Sequence, residues 1–273
     1  FGGKHGNTAE EILVGWLARR LGRPMEWVET RTEHLLSFVH GRGQIQYAKL
    51  GGTRDGKLLA YRLHVIQDCG AYASAFGPLM PRMTGIMASG CYRIPRIAYS
   101  AQSVLTNTAP VGAFRGAGRP EAAAAIERMI ELFAAEAGLD SIEVRRRNLL
   151  TPDAFPYETP TGASYDTGAY EQALDTVLKA AGYDQLRAEQ ARRRAEGDPM
   201  LLGIGLSTYV EITNPIGAGE YGALEVHADG TATLRTGSSP HGQGHATTFR
   251  MIASEATGIP MDRIEFVFGD TDV

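Results

Sequence analysis

Two segments of the 273-residue chain carry residue types and spacing suited to ligand chemistry, and both share one design. Val111-Gly112-Ala113-Phe114-Arg115-Gly116-Ala117-Gly118-Arg119-Pro120-Glu121 is a glycine-rich loop that runs straight into a helical pattern, and so is Ser238-Ser239-Pro240-His241-Gly242-Gln243-Gly244-His245-Ala246-Thr247-Thr248. Glycine lets the backbone come close to a ligand, while the unsatisfied N–H groups and dipole of a helix start favour an anion. His241, Gln243, His245, Thr247 and Thr248 add hydrogen-bonding capacity toward a phosphate or heterocycle, and Arg115 and Arg119 add positive charge. Neither loop is a P-loop or a strand–GxGxxG–helix dinucleotide fingerprint. Two glycines between His241 and His245 argue against a helical metal pair, so no protein-ligated metal is expected. The Gly-x-Ser-x-Gly and His-Glu-x-x-His patterns of common hydrolases are absent.

The elements that must position these loops alternate between helical and extended. Thr8-x-x-Glu11 predicts a capping box for a helix that buries Ile12, Leu13, Trp16, Leu17 and Leu21 and stops at Gly22. Residues 25–30 alternate like a strand. Stretches 43–53 and 57–68 flank Arg54-Asp55-Gly56, a hairpin turn, and 97–105 is extended and leads into the first loop. Pro120 suits the first position of the helix that follows, Glu121 suits its dipole, and Ile126, Met129, Ile130, Phe133 and Ala137 form one face up to Gly138. Asp140 starts a shorter helix carrying Arg145, Arg146 and Arg147. The Pro-, Thr-, Gly- and Tyr-rich stretch 151–167 predicts a domain boundary, giving domains 1–150 and 151–273. Helices over 169–181 and 183–196, a hairpin at Asp229-Gly230, a helix with Phe249, Ile252, Ala253 and Ala256 on one face, and a strand at 264–268 complete an α+β pattern.

The bulk numbers exclude several classes. A net charge of −4 gives no support to nucleic-acid binding, and the apolar runs are too short for a membrane span. Cys69 and Cys91 form no CxxC and read as free, packed thiols of a reducing, cytoplasmic compartment. The chain opens on Phe1-Gly2-Gly3-Lys4 and stops just after a strand-like run, which reads as an excised piece of a longer protein.

Seven segments, in order, resemble the large subunit of the xanthine dehydrogenase/aldehyde oxidase/aerobic carbon monoxide dehydrogenase family. Phe1-Gly2-Gly3-Lys4 resembles the end of its Gly-Gly-Gly-Phe-Gly-x-Lys motif, and Asp68-Cys69-Gly70-Ala71-Tyr72 its Asp-x-Gly-Ala-Tyr. Ala113-Phe114-Arg115-Gly116-Ala117-Gly118-Arg119 resembles its active-site loop. Arg146-Arg147-Asn148-Leu149 and Tyr165-Asp166-Thr167-Gly168 resemble its domain connection. Gly242-Gln243-Gly244-His245 and Gly269-Asp270-Thr271-Asp272 resemble its second cofactor-binding domain.

The resemblance implies two mixed α/β molybdopterin-binding domains, the first truncated at its start and the second at its end. It implies a molybdenum hydroxylase that oxidises an aldehyde or small heterocycle with water-derived oxygen. The cofactor would be a molybdopterin, in its cytosine dinucleotide form, with iron–sulfur clusters and FAD on partner subunits and an oligomer of heterotrimers. Arg115 and Gly116 would belong to the catalytic loop, and Phe1, Gly2, Phe114, Arg115, Gly242, Gln243, Gly244, His245, Thr247 and Thr248 would contact the cofactor, with both loops serving the same pterin dinucleotide. The sequence departs from the family at three places. Gly116 stands where carbon monoxide-oxidising members carry a copper-binding cysteine, Ala117 where purine-oxidising members carry a stacking phenylalanine, and His5 where a substrate-contacting acid is found. The family's general-base glutamate lies far downstream of these segments, in a Gly-x-Gly-Glu motif, so the piece alone is expected to be inactive. The alternatives are a carbon monoxide dehydrogenase-like large chain and a non-catalytic module that binds a nucleotide or a partner.

Overall fold

The computed structural model describes residues 8–73, 76–212, 219–240 and 242–269, which form two compact units, Phe1–Glu211 and Ile212–Val273. The expected sites at Phe1, Gly2 and His241, and the departure at His5, lie outside the described residues.

The first unit begins with helix α1 (Ala9–Leu21), whose capping box between Thr8 and Glu11 and left-handed Gly22 stop form as the sequence predicts. Its apolar face stays uncovered, however: Ile12 is 61% and Trp16 52% exposed. Residues 25–30 form no strand; they lead into helix α2 (Arg31–Ser37), opened by a second capping box, Thr30 with Glu33. Strands β1 (Gln44–Gly52) and β2 (Leu58–Asp68) pair antiparallel around Asp55-Gly56. Helix α3 (Met80–Ile86) then carries the chain to β3 (Arg96–Val104), which pairs parallel with β2 and completes the sheet in the order β1-β2-β3.

The core lies where this sheet meets helix α4 (Arg119–Ala137) and helix α5 (Ser141–Asn148). Alternate β2 residues Tyr61, Leu63 and Val65 point inward against Ile126, Ile130 and Ala134 of α4 and Val144 of α5. Arg145 is also inside, fully buried among carboxylates: its Nε and Nη2 donate to Glu127 Oε2 (3.0 and 2.9 Å) and its Nη1 to Glu131 Oε1 (2.7 Å). Glu127 Oε1 accepts in addition from Tyr92 and from Thr208 Oγ1 (2.7 Å). Through Thr208, and through the Leu206 carbonyl that accepts from Arg145 (3.2 Å), the non-helical segment 201–211 is tied to the first unit.

The two-residue strands β4 (Tyr157–Glu158) and β5 (Ser164–Tyr165) also belong to this unit, with the Tyr165 hydroxyl donating to the Gly90 carbonyl (3.0 Å). Helices α6 (Tyr170–Ala181) and α7 (Tyr183–Glu196) follow. Packing groups the chain into two compact units that part at Glu211/Ile212.

The second unit repeats the sheet pattern on a smaller scale. Strands β6 (Gly222–Val226) and β7 (Ala232–Thr236) pair antiparallel about Asp229-Gly230; helix α8 (His245–Thr257) crosses over, and β8 (Ile264–Phe268) pairs parallel with β7. Its buried cluster is small, formed by Ala232, Ala253 and Ile264. Ile252, expected on the inner face of α8, is 61% exposed. No helix among the described residues is long and apolar enough to cross a membrane.

Candidate functional site

The first loop is built by its neighbours from both sides. At the end of β2, the Asp68 carboxylate accepts from the Gly70 N–H (2.7 Å) and the hydroxyls of Thr106 (2.7 Å) and Thr108 (3.0 Å). These bonds hold its pKa below the ordinary carboxylate value, the Thr106 hydroxyl contributing most. They also bind the Asp-Cys-Gly-Ala-Tyr turn to the segment that enters the loop. The approach is close enough that a Cβ on Gly70 would sit 2.2 Å from the Ala109 carbonyl oxygen. On the other side, His40 N–H donates to the Pro110 carbonyl (3.0 Å) and Gly112 N–H to the His40 carbonyl (2.8 Å), so residues 40 and 111 bridge like parallel strands.

The loop then turns sharply. Gly116, Ala117 and Gly118 all have positive φ, at +101°, +43° and +89°. A Cβ on Gly116 would lie 2.5 Å from Pro120 Cγ, and one on Gly118 would meet the Thr84 nitrogen at 2.7 Å and the Met80 carbonyl oxygen at 2.8 Å. Glycine at both is therefore required by the protein's own packing. Arg119, not Pro120, is the first helical residue of α4. Phe114 is about half exposed and carries the Arg42 guanidinium over its ring, 5.4 Å from the centroid. Arg115 is exposed, whereas Arg119 forms an ion pair with Glu211, so the charge that the sequence offered to a ligand at Arg119 is engaged within the protein.

The second loop has the same outline without the bracing. Gly242 and Gly244 have φ of +95° and +84°, yet a Cβ on either would meet nothing within 4 Å among the described residues. Gly244 caps α8 with no side-chain hydrogen bond. The N–H groups of Thr247 and Thr248 donate to the Gly244 carbonyl (3.1 and 3.0 Å), which leaves their exposed side chains to face solvent. His245, the first residue of the helix, stacks on Phe249 with ring centroids 4.9 Å apart. Its Nδ1 is buried without a hydrogen-bond partner among the described residues, a costly state for a polar atom. Gln243 is exposed beside it.

Sequence reasoning missed Arg42 and Asp68 as organisers of the first loop. For Arg42 the available signal was the unusual Gly41-Arg42-Gly43 run, whose arginine takes a left-handed φ of +68°.

Comparison with known proteins bears on both loops. Residues 1–149 match one family model described as a molybdopterin cofactor-binding domain, and residues 176–273 match a second of the same description. The carbon monoxide dehydrogenase large chain of Hydrogenophaga pseudoflava is 39% identical over 92% of this chain and 33% of its own length. The 6-hydroxypseudooxynicotine dehydrogenase complex subunit gamma of Paenarthrobacter nicotinovorans is 34% identical over 100% of this chain and 35% of its own. Among solved structures, quinoline 2-oxidoreductase from Pseudomonas putida 86 superposes with a TM-score of 0.88 at 31% identity, covering 98% of this chain and 36% of that one. The chain thus spans about a third of the length of the relatives it matches. With one such domain match over more than half its length and another following it, the chain belongs to the molybdopterin cofactor-binding domain family, in keeping with the motifs it shares with the xanthine dehydrogenase, aldehyde oxidase and carbon monoxide dehydrogenase large subunits.

Proposed function

We propose that this chain forms the cofactor-binding centre of a molybdenum hydroxylase that oxidises an aldehyde or small heterocycle with water-derived oxygen. The observation that carries the reading is the start of α8: an uncapped helix N-terminus, two left-handed glycines facing open space, and an orphaned His245 Nδ1. These features fit a phosphate-bearing ligand, because a helix N-terminus favours an anion and the glycines leave room for close backbone approach. Gly242, Gln243, Gly244, His245, Thr247 and Thr248 would hold the dinucleotide end of a molybdopterin in its cytosine dinucleotide form. Phe114, Arg115 and Gly116 would wall the pocket where substrate is oxidised, with Phe1 and Gly2 also assigned to the cofactor. Bound there, the cofactor supplies a redox-active molybdenum that takes two electrons from the substrate.

The protein's own part is to bind, to orient and to exclude water. The first loop suits the orienting role because its backbone is fixed by Asp68, Arg42 and the crowding around Gly116 and Gly118. Gly116 offers no copper-binding thiol, and the two cysteines lie elsewhere, buried, with the Cys91 thiol pushed up to about 12 by burial. That favours an aldehyde or heterocycle over carbon monoxide, although the relative from Hydrogenophaga carries the carbon monoxide dehydrogenase name. Ala117, at the position of a stacking aromatic, forgoes about 0.5–1.5 kcal/mol of ring stacking, which disfavours a purine. Electrons would leave through iron–sulfur and FAD subunits in a cytoplasmic oligomer of heterotrimers.

Metal and nucleotide analysis of the full-length subunit tests the reading. Stoichiometric molybdenum and release of CMP on acid treatment are expected; a full-length subunit that carries neither would overturn it.

A further inference from the structure

Gly41, Arg42 and Gly43 lie between α2 and β1, far in sequence from the first loop, yet they are pressed against it. A Cβ on Gly41 would sit 2.5 Å from Phe114 Cβ, and one on Gly43 would meet Val111 Cγ1 at 3.1 Å. From this wedge Arg42 directs both terminal nitrogens of its guanidinium at the loop and at the helix behind it. Nη1 donates to both Glu121 carboxylate oxygens (3.2 Å each) and to the Phe114 carbonyl (3.4 Å), and Nη2 donates to the Arg115 carbonyl. Glu121 is the third residue of α4; its side chain is 7% exposed, so it is a fixed anchor and not a solvated partner. Its backbone carbonyl in turn accepts from Gln46 Nε2 (3.0 Å), which ties the anchor to β1.

We propose that Arg42 is the positioning residue of the 114–118 loop, and that it sets the direction in which the loop presents its amides. In a planar trans peptide, C=O and N–H point to opposite sides. Holding the Phe114 and Arg115 carbonyls toward Arg42 therefore aims the N–H groups of Arg115 and Gly116 away from it. The Phe114 carbonyl also accepts from Ala117 N–H (2.7 Å), which closes the turn that Gly116 makes possible. A planar fork that satisfies a carboxylate and two carbonyls at once is a property of guanidinium; an ammonium cannot span all of them. That this orientation serves catalysis rests on the reading of residues 114–118 as a wall of the cofactor pocket. The fixing of the loop by Arg42 does not.

The test has two arms. Hydrogen exchange followed by mass spectrometry on the chain compares wild type with Arg42→Met and Arg42→Lys. Peptides covering 112–119 are expected to exchange about tenfold faster or more in both variants, since charge-assisted hydrogen bonds are lost, while residues 126–134 of α4 keep wild-type protection. Unchanged exchange of the loop in Arg42→Met would overturn the proposal. Should that variant also lose protection in α4, Arg42→Lys decides, because it keeps a cation beside Glu121: a faster loop supports the role and a wild-type loop overturns it. In the full-length holoenzyme, Arg42→Lys should keep its molybdenum and its KM but lose kcat by about a hundredfold, the scale of a misoriented reacting group. Wild-type kcat would overturn the catalytic half of the inference. A wild-type subunit without molybdenum would instead sink the functional reading and leave the exchange result standing.

Discussion

The two glycine-rich helix starts look interchangeable in sequence and differ in what surrounds them. At the first, glycine is demanded by neighbouring atoms: Pro120 crowds Gly116, and the α3 backbone crowds Gly118. At the second, only the dihedral angles demand it, and the space beside Gly242 and Gly244 is open. The first loop rests on a helix that buries Ala122, Ile126, Ile130 and Ala134, the second on a helix that buries Ala253. A loop folded by the protein suits a rigid wall, and a helix start with spare room suits a ligand's phosphates. The same residue type thus answers two different physical requirements.

That contrast can be broken at several points. The largest effect is expected from Arg145→Met, which strands Glu127 in the core beneath the first loop and should cost about 3–5 kcal/mol in denaturant unfolding. A loss near that of a surface ion pair would mean that α4 is not anchored as described. Next, Gly118→Ala should cost about 3 kcal/mol, since backbone atoms must move and the φ is strained. Gly244→Ala should cost only about 1 kcal/mol, for strain alone. Equal costs at the two positions would erase the distinction between the loops.

The smallest effect concerns acid. Asp68 has a folded pKa below its unfolded one, so its stabilisation is complete above the unfolded value and is lost as pH falls through the folded one. The stability difference between wild type and Asp68→Asn should be about 1 kcal/mol at neutral pH, start to shrink near the unfolded pKa of about 4, and vanish only once pH falls below the lower folded pKa. A pH-independent difference would show that the carboxylate's charge is irrelevant to the turn.

Local signals were legible in the sequence where the physics is local. The Asp55-Gly56 hairpin, the Thr8 and Asp140 caps, and the Gly22 and Gly138 stops all depend on residues a few positions apart. The helix α2 was missed in the sequence, although Thr30 and Glu33 repeat the Thr8–Glu11 pattern, because the alternation over 25–30 drew attention to a strand in its approach. Arg145 could not be told from Arg146 and Arg147 by type; only the helical period that places it beside Ile142 and Val144 sends it inward. Arg42 acts across more than seventy residues, and no local rule reports such a contact. The exposed face of α1 and the exposed Ile252 show the converse: an apolar stripe states what a helix needs to cover, not what covers it.

The central claim is that the open space beside Gly244 receives the cofactor. Gly244→Val and Gly258→Val in the full-length subunit place the same side chain at opposite ends of α8, at φ of +84° and +75°, both with nothing within 4 Å. Their molybdenum and nucleotide contents are the measurement. Loss of both from the Gly244 variant, with retention in the Gly258 variant, is the predicted result; wild-type content in both variants would contradict the account.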